Sequence, residues 1–127
     1  MVTRITKEAT YFLGNMTICA SGHPHNAYQI WKMMGHELFY LGINMNLAPV
    51  LDVNNNATNP VNGVRSYGDY PETVGRFGVA FIHGLQEKVV LATGKHFPGH
   101  GDTTMDSHIN LPLIPHDRKR LESVELY

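Results

Sequence analysis

An α/β fold with a parallel sheet is the architecture this 127-residue sequence predicts. Short apolar, β-branched runs alternate with amphipathic stripes at helical spacing. They follow one another as strand, helix, strand, helix, strand, helix, an order that favours right-handed βαβ crossovers. The last strand runs directly into a loop crowded with ionisable side chains, Lys95 to His108. No internal repeat, low-complexity stretch or linker interrupts the pattern, so residues 1–127 are one piece of one domain.

Residues 1–13 are weakly patterned and predict no element. Met16 to Ala20 is short, apolar and followed by Ser21-Gly22, which suits a buried strand and its turn. Asn26 can cap the helix that follows, where Ala27, Ile30, Trp31, Met34, Leu38 and Leu41 form one stripe. Trp31 and Met34 fit core packing better than a ligand box, and Gly42 is placed to end the helix. Ile43 to Val53 predicts the next strand, and the asparagine-rich segment from Asn54 to Asn62 predicts a loop. Asp69 and Glu72 have capping-box spacing around Pro71, ahead of a stripe of Val74, Phe77, Phe81, Ile82 and Leu85. Gly75 and Gly78 lower helix propensity and suggest close packing on the sheet. Val89 to Lys95 is the third strand. Leu111 to Ile114 and a final helix capped by Asp117, with Leu121 and Val124 on its apolar face, complete the chain.

A net charge of −1 and the lack of any long basic run argue against a nucleic-acid or membrane-surface partner. Arg118-Lys119-Arg120 has acids close by and predicts a solvated helix face. The single cysteine, Cys19, excludes an internal disulfide and fits a buried thiol. No apolar run approaches the roughly 18 residues of a membrane span, and the first twelve residues lack the apolar core of a secretory signal.

Five ionisable groups of catalytic type, Lys95, His96, His100, Asp106 and His108, fall within fourteen residues. Pro98, Gly99 and Gly101 break any regular element there, so the groups sit on a loop at a strand end, where chemistry concentrates. Asp106 and His108 are two apart, and in an extended segment such residues point to the same side. A carboxylate there fixes the imidazole tautomer and stabilises its protonated form. The histidine can then give a proton to a leaving oxygen and later take one from water. A metal site built from His96, His100, Asp102, Asp106 and His108 is the competing reading. The segment has no helical His-x3-His pair and no thiolate, so no metal is expected; nor does Pro-Gly-His-Gly match a phosphate-binding loop.

The stretch KHFPGHGDT, then DSH and Leu111-Pro112, resembles the N-terminal barrel domain of family 3 glycoside hydrolases. Within that family it is most similar to the β-N-acetylglucosaminidase branch. Gly14-Asn15-Met16, the run Leu41 to Asn44 leading into Ala48 to Val53, and Val64 to Gly68 before Pro71 extend the match upstream in the family's order. The resemblance implies a partial (β/α)8 TIM barrel of about three βα units, because a whole barrel takes about 250 residues and rarely fewer than 200. It implies Asp106 and His108 as the acid/base pair and Lys95, His96 and Arg65 as contacts to the sugar. Asp52, at the end of its strand, is expected to be structural or supporting. The implied reaction is retaining hydrolysis of terminal β-linked N-acetylglucosamine, with no cofactor and no metal. The family's nucleophile is an aspartate on a later strand, and none of this chain's aspartates stands in that motif. Two alternatives stay open: a non-catalytic sugar-binding fragment or pseudoenzyme, and a phosphorylase that uses phosphate in place of water. The fragment alone is expected to be inactive and to self-associate.

Overall fold

The computed structural model describes residues 5–127. In chain order it contains α1 (Asn15–Cys19), α2 (Pro24–Tyr40), β1 (Met45–Asn46), a 3-10 turn (Gly63–Arg65), α3 (Pro71–Gln86), β2 (Leu91–Ala92) and α4 (Arg118–Ser123). β1 and β2 are parallel, with Met45 opposite Leu91 and Asn46 opposite Ala92. Main-chain bonding continues well past these residues. The Leu91 N–H donates to Asn44 O at 2.8 Å, Thr93 N–H to Asn46 O at 3.1 Å, Lys95 N–H to Pro49 O at 3.0 Å, and Leu51 N–H to Lys95 O at 2.6 Å. The expected strands at Ile43–Val53 and Val89–Lys95 therefore exist in their central parts. Pro49, which has no N–H to give, interrupts the regular pairing. The consequence for function is immediate: Asp52 and His96 leave the two strands side by side, at the same end of the sheet.

The described residues hold two parallel strands, not the three the sequence predicts. Met16 to Ala20 lies in α1 and its C-cap, where Gly14 O accepts from Thr17 N–H at 3.0 Å and Ile18 N–H at 3.2 Å. Five residues are too few to separate helical from strand periodicity, and only Ile18 of that run is fully buried. Asn26 does not cap α2. The helix starts at Pro24 behind His23, and the Asn26 amide donates to Ser21 Oγ at 3.0 Å. Likewise Tyr70, not Asp69, precedes α3, which begins at Pro71. In both helices proline's fixed φ sets the start without a side-chain cap. Asp117 caps α4 as expected, accepting from Arg120 N–H at 2.8 Å. Gly42 (φ +76°) closes α2, its N–H donating to Phe39 O and that of Ile43 to Leu38 O. Leu41 lies beyond the helix and is exposed.

The core lies between α2 and α3 and beneath the strands. α2 buries Ala27, Trp31, Met34 and Leu38; α3 buries Val74, Phe77, Phe81 and Leu85. The Trp31 and Phe81 rings meet at 3.8 Å, and each such buried side chain contributes roughly 1.5–3 kcal/mol. The two helices approach most closely at Gly84, where a Cβ would strike the Tyr28 carbonyl, and at Gly35, where it would meet Leu85 O at 2.8 Å. Of the glycines expected to allow close packing, Gly78 does so against the Leu51 side chain, whereas a Cβ at Gly75 would meet only the Tyr127 ring, at an ordinary contact distance of 4.0 Å. Cys19 packs at the margin of this core, and burial, helped by the charge of Asp69, pushes its thiol pKa up. Ala48 and Ala92 face the core, while Met45, Leu47 and Leu91 on the alternate positions are exposed. A parallel sheet normally buries both faces, so this one has an uncovered side within the described residues. None of the described helices is long and apolar enough to cross a membrane.

Candidate active site

The site begins with Asp52. Its side chain is fully buried where the strands end, and it ties down the loop that leaves β2. Asp52 Oδ1 accepts from the main-chain N–H groups of His96 at 3.1 Å and His100 at 2.7 Å. Asp52 Oδ2 lies 2.6 Å from His96 Nδ1, so the imidazole donates there and turns Nε2 elsewhere. One carboxylate thus bonds both ends of the His96–His100 turn.

Lys95 and Arg65 meet on the wall of a cavity of about 360 Å³. Asn15, Asn46 and Trp31 share that wall. Burial, then the Arg65 charge, holds the Lys95 ammonium below its ordinary pKa, against the opposing pull of Asp52. Arg65 is set by the 3-10 turn: its guanidinium donates to Val61 O at 2.5 Å, and its own carbonyl accepts from Asn15 Nδ2 at 2.8 Å. Two sugar-contact candidates are therefore brought together. His96 follows Lys95 in sequence but stands off the cavity wall, engaged with Asp52.

Asp106 and His108 form the pair their spacing predicts. Asp106 Oδ1 lies 2.7 Å from His108 Nδ1 and also accepts the His108 main-chain N–H at 2.9 Å. That main-chain bond first, and the ring second, hold the Asp106 carboxyl below its usual range. The carboxylate is thus ionised at neutral pH, and Nδ1 carries the proton that faces it. His108 Nε2 is left to exchange protons outward, on a side chain 82% exposed. Neither residue lines the cavity shared by Lys95 and Arg65.

Two features escape sequence reasoning. The first is Asn59, whose side chain joins its own loop to the one after β2 through bonds to His100 and Thr103. The Asn59-Pro60 pair is the only local signal of it. The second is Arg120, expected on a solvated face. It instead bonds Glu125, 3% exposed, through Nη1 at 2.7 Å and lies 3.5 Å from Asp102, which also pairs with His116 at 2.5 Å. Asp102, His116 and Glu125 are the one group among the described residues with metal-ligand proximity. The Arg120 guanidinium already supplies the positive charge there. In the five-residue alternative, His96 is committed to Asp52, His100 Nδ1 to Thr103 Oγ1 and His108 to Asp106, so those groups do not converge.

The sequence matches the Glycosyl hydrolase family 3 N terminal domain over residues 1–127. It is 45% identical to the beta-hexosaminidase A of Pseudoalteromonas piscicida over 130 residues, covering 98% of this chain and 22% of that protein. Its structure resembles that of a glycoside hydrolase family 3 beta-N-acetylglucosaminidase from Paenibacillus sp. str. FPU-7. The TM-score is 0.87 and the identity 55%, over 89% of this chain and 22% of that one. It also resembles a beta-glucoside phosphorylase, with a TM-score of 0.76 and 33% identity, over 78% of this chain and 18% of that one. The chain thus spans about a fifth of the length of these relatives. Matched along its whole length and carrying the KHFPGHGDT…DSH loop on a parallel α/β scaffold, it belongs to glycosyl hydrolase family 3, in the N-terminal domain.

Proposed function

We propose that these residues form part of a retaining β-N-acetylglucosaminidase, folded as a section of a (β/α)8 barrel. The observation that carries the reading is the Asp106–His108 pair: a 2.7 Å contact at Nδ1 with Nε2 exposed. In the first step His108 Nε2–H protonates the departing glycosidic oxygen while a carboxylate attacks the anomeric carbon from the opposite face. In the second, the same nitrogen takes a proton from water, which displaces the enzyme carboxylate and releases the sugar with its β configuration retained. Asp106 orients the ring and stabilises the imidazolium, which gives up its proton in the first step and forms again in the second. Lys95, His96 and Arg65 hold hydroxyls of the sugar.

The attacking carboxylate is drawn from outside this chain. Asp52 is buried with both oxygens engaged, Asp102 is tied to His116, Asp106 to His108, and Asp117 caps α4, while Asp69 is exposed ahead of α3, near Cys19 and off the wall shared by Lys95 and Arg65. The uncovered face of the sheet, Met45, Leu47 and Leu91, supports the same view of the fold, since further strands and helices would bury it. Residues 1–127 purified alone should therefore fail to hydrolyse an aryl N-acetyl-β-glucosaminide and should elute as associated species in size-exclusion chromatography. Robust turnover by a monomer contradicts both expectations.

A phosphorylase is the second reading, favoured by the likeness to the beta-glucoside phosphorylase. The deciding experiment follows the full-length protein with chitobiose by proton NMR, with and without phosphate. Hydrolysis predicts free β-N-acetylglucosamine as the first product, at a rate independent of phosphate. A sugar 1-phosphate that appears only with phosphate establishes the second reading. Initial release of the α-anomer excludes the two-step mechanism.

A further inference from the structure

We propose that Asn59 is a positioning residue that sets the acid/base loop and the Arg65 turn against one another; the inference rests on the acid/base reading of His108. The side chain works at both ends. Its Nδ2 donates to His100 O at 2.7 Å and Thr103 O at 3.0 Å, with Gly101 O and Thr103 Oγ1 each at 3.4 Å. Its Oδ1 accepts the main-chain N–H groups of Val61 at 2.9 Å and Asn62 at 2.8 Å.

The two ends serve different parts of the site. The donor end crosses 41 and 44 positions of sequence to a strand of loop that ends three residues before Asp106. The acceptor end shapes the turn whose Val61 carbonyl receives the Arg65 guanidinium and whose Asn62 carbonyl receives the Arg65 N–H at 3.0 Å. Asp52 holds the start of the acid/base loop from its strand, but from the Asn59 loop itself the neighbouring Asn56 Nδ2 reaches Asp102 O only at 3.5 Å. At Gly101 the bare backbone lies against the Val53 carbonyl, with no room for a Cβ, so the loop is pressed close enough for a short amide to span. A primary amide of this length supplies both two donors and an acceptor. Aspartate keeps the acceptor and loses the donors.

That asymmetry makes the proposal testable. In the full-length protein, Asn59→Asp leaves acceptors for Val61 and Asn62 but puts an oxygen against the His100 and Thr103 carbonyls. It should displace the acid/base loop and spare the Arg65 turn. Expected is a loss in kcat/KM of roughly 100-fold on an alkyl N-acetyl-β-glucosaminide, the scale of a misplaced catalytic group, with KM unchanged and a much smaller loss on an activated aryl substrate. Asn59→Ala releases both ends and should raise KM as well. In a His108→Ala background, Asn59→Asp should cost nothing further on the alkyl substrate, because the proton donor it positions is gone. Equal loss on both substrates, full alkyl activity, or a multiplied loss in the double variant each overturns the proposal. A His108→Ala variant whose loss is flat across leaving groups overturns the acid/base reading itself. A sloped His108→Ala series beside a flat Asn59→Asp series overturns only the role of Asn59. If Asn59→Asp does not fold, Asn59→Ser, smaller and uncharged, is judged by the same criteria.

Discussion

Replacing His108 with alanine in the full-length protein should lower turnover of an alkyl N-acetyl-β-glucosaminide by about 10²–10⁴-fold, the usual worth of a positioned general acid. The cause is specific. An alkoxide is a poor leaving group and departs only with a proton, which His108 Nε2 is placed to supply while Asp106 holds Nδ1. A nitrophenolate leaves without one, so the same substitution should barely slow glycosyl transfer from an aryl substrate. Asp106→Ala should show the same slope with a smaller loss, because the ring remains but is no longer oriented. Equal losses along a series of leaving groups contradict His108 as the acid.

Asp52→Ala has the second large effect, and it acts on stability before chemistry. The carboxylate satisfies the His96 and His100 main-chain N–H groups and the His96 ring from a fully buried position. Its removal strands donors that water cannot reach easily, at about 1–3 kcal/mol each. The total should be about 3–5 kcal/mol, as for other buried pairs broken from one side. Denaturant unfolding of the full-length protein measures this directly. Asp52→Asn should recover only part of the loss, since its amide keeps one oxygen and turns an N–H toward groups that are already donors. A loss below 1 kcal/mol would mean that the His96–His100 turn is held by something else.

What was legible in the sequence divides along physical lines. The α2 and α3 stripes were visible because sixteen or so residues give several periods of a helix. The ladder beside β1 and β2 was visible as two apolar runs, and it carries Asp52 and His96 to a common end. The run from Met16 to Ala20 was not legible, being too short to show a period. The helix starts expected at Asn26 and Asp69 differ from the observed ones because proline at the first helical position outweighs a plausible polar cap. At the site, Asp106 and His108 could be paired from a two-residue spacing, since the contact is local. Asn59 and Arg120 could not, because their partners are distant or depend on where α4 docks. Asparagine in a loop has the same local signal whether it faces solvent or, like Asn59, bridges two segments.

The acid/base role of His108 is tested most directly by azide rescue of His108→Ala. With an activated aryl N-acetyl-β-glucosaminide the variant should form its glycosyl-enzyme readily and then stall, because no base activates the incoming water. Azide needs no base. Its addition should restore turnover and yield the β-glycosyl azide as product, identifiable by mass and by its anomeric proton. No acceleration and no azide adduct, in a variant that still forms the covalent intermediate, would show that a residue other than His108 handles the proton.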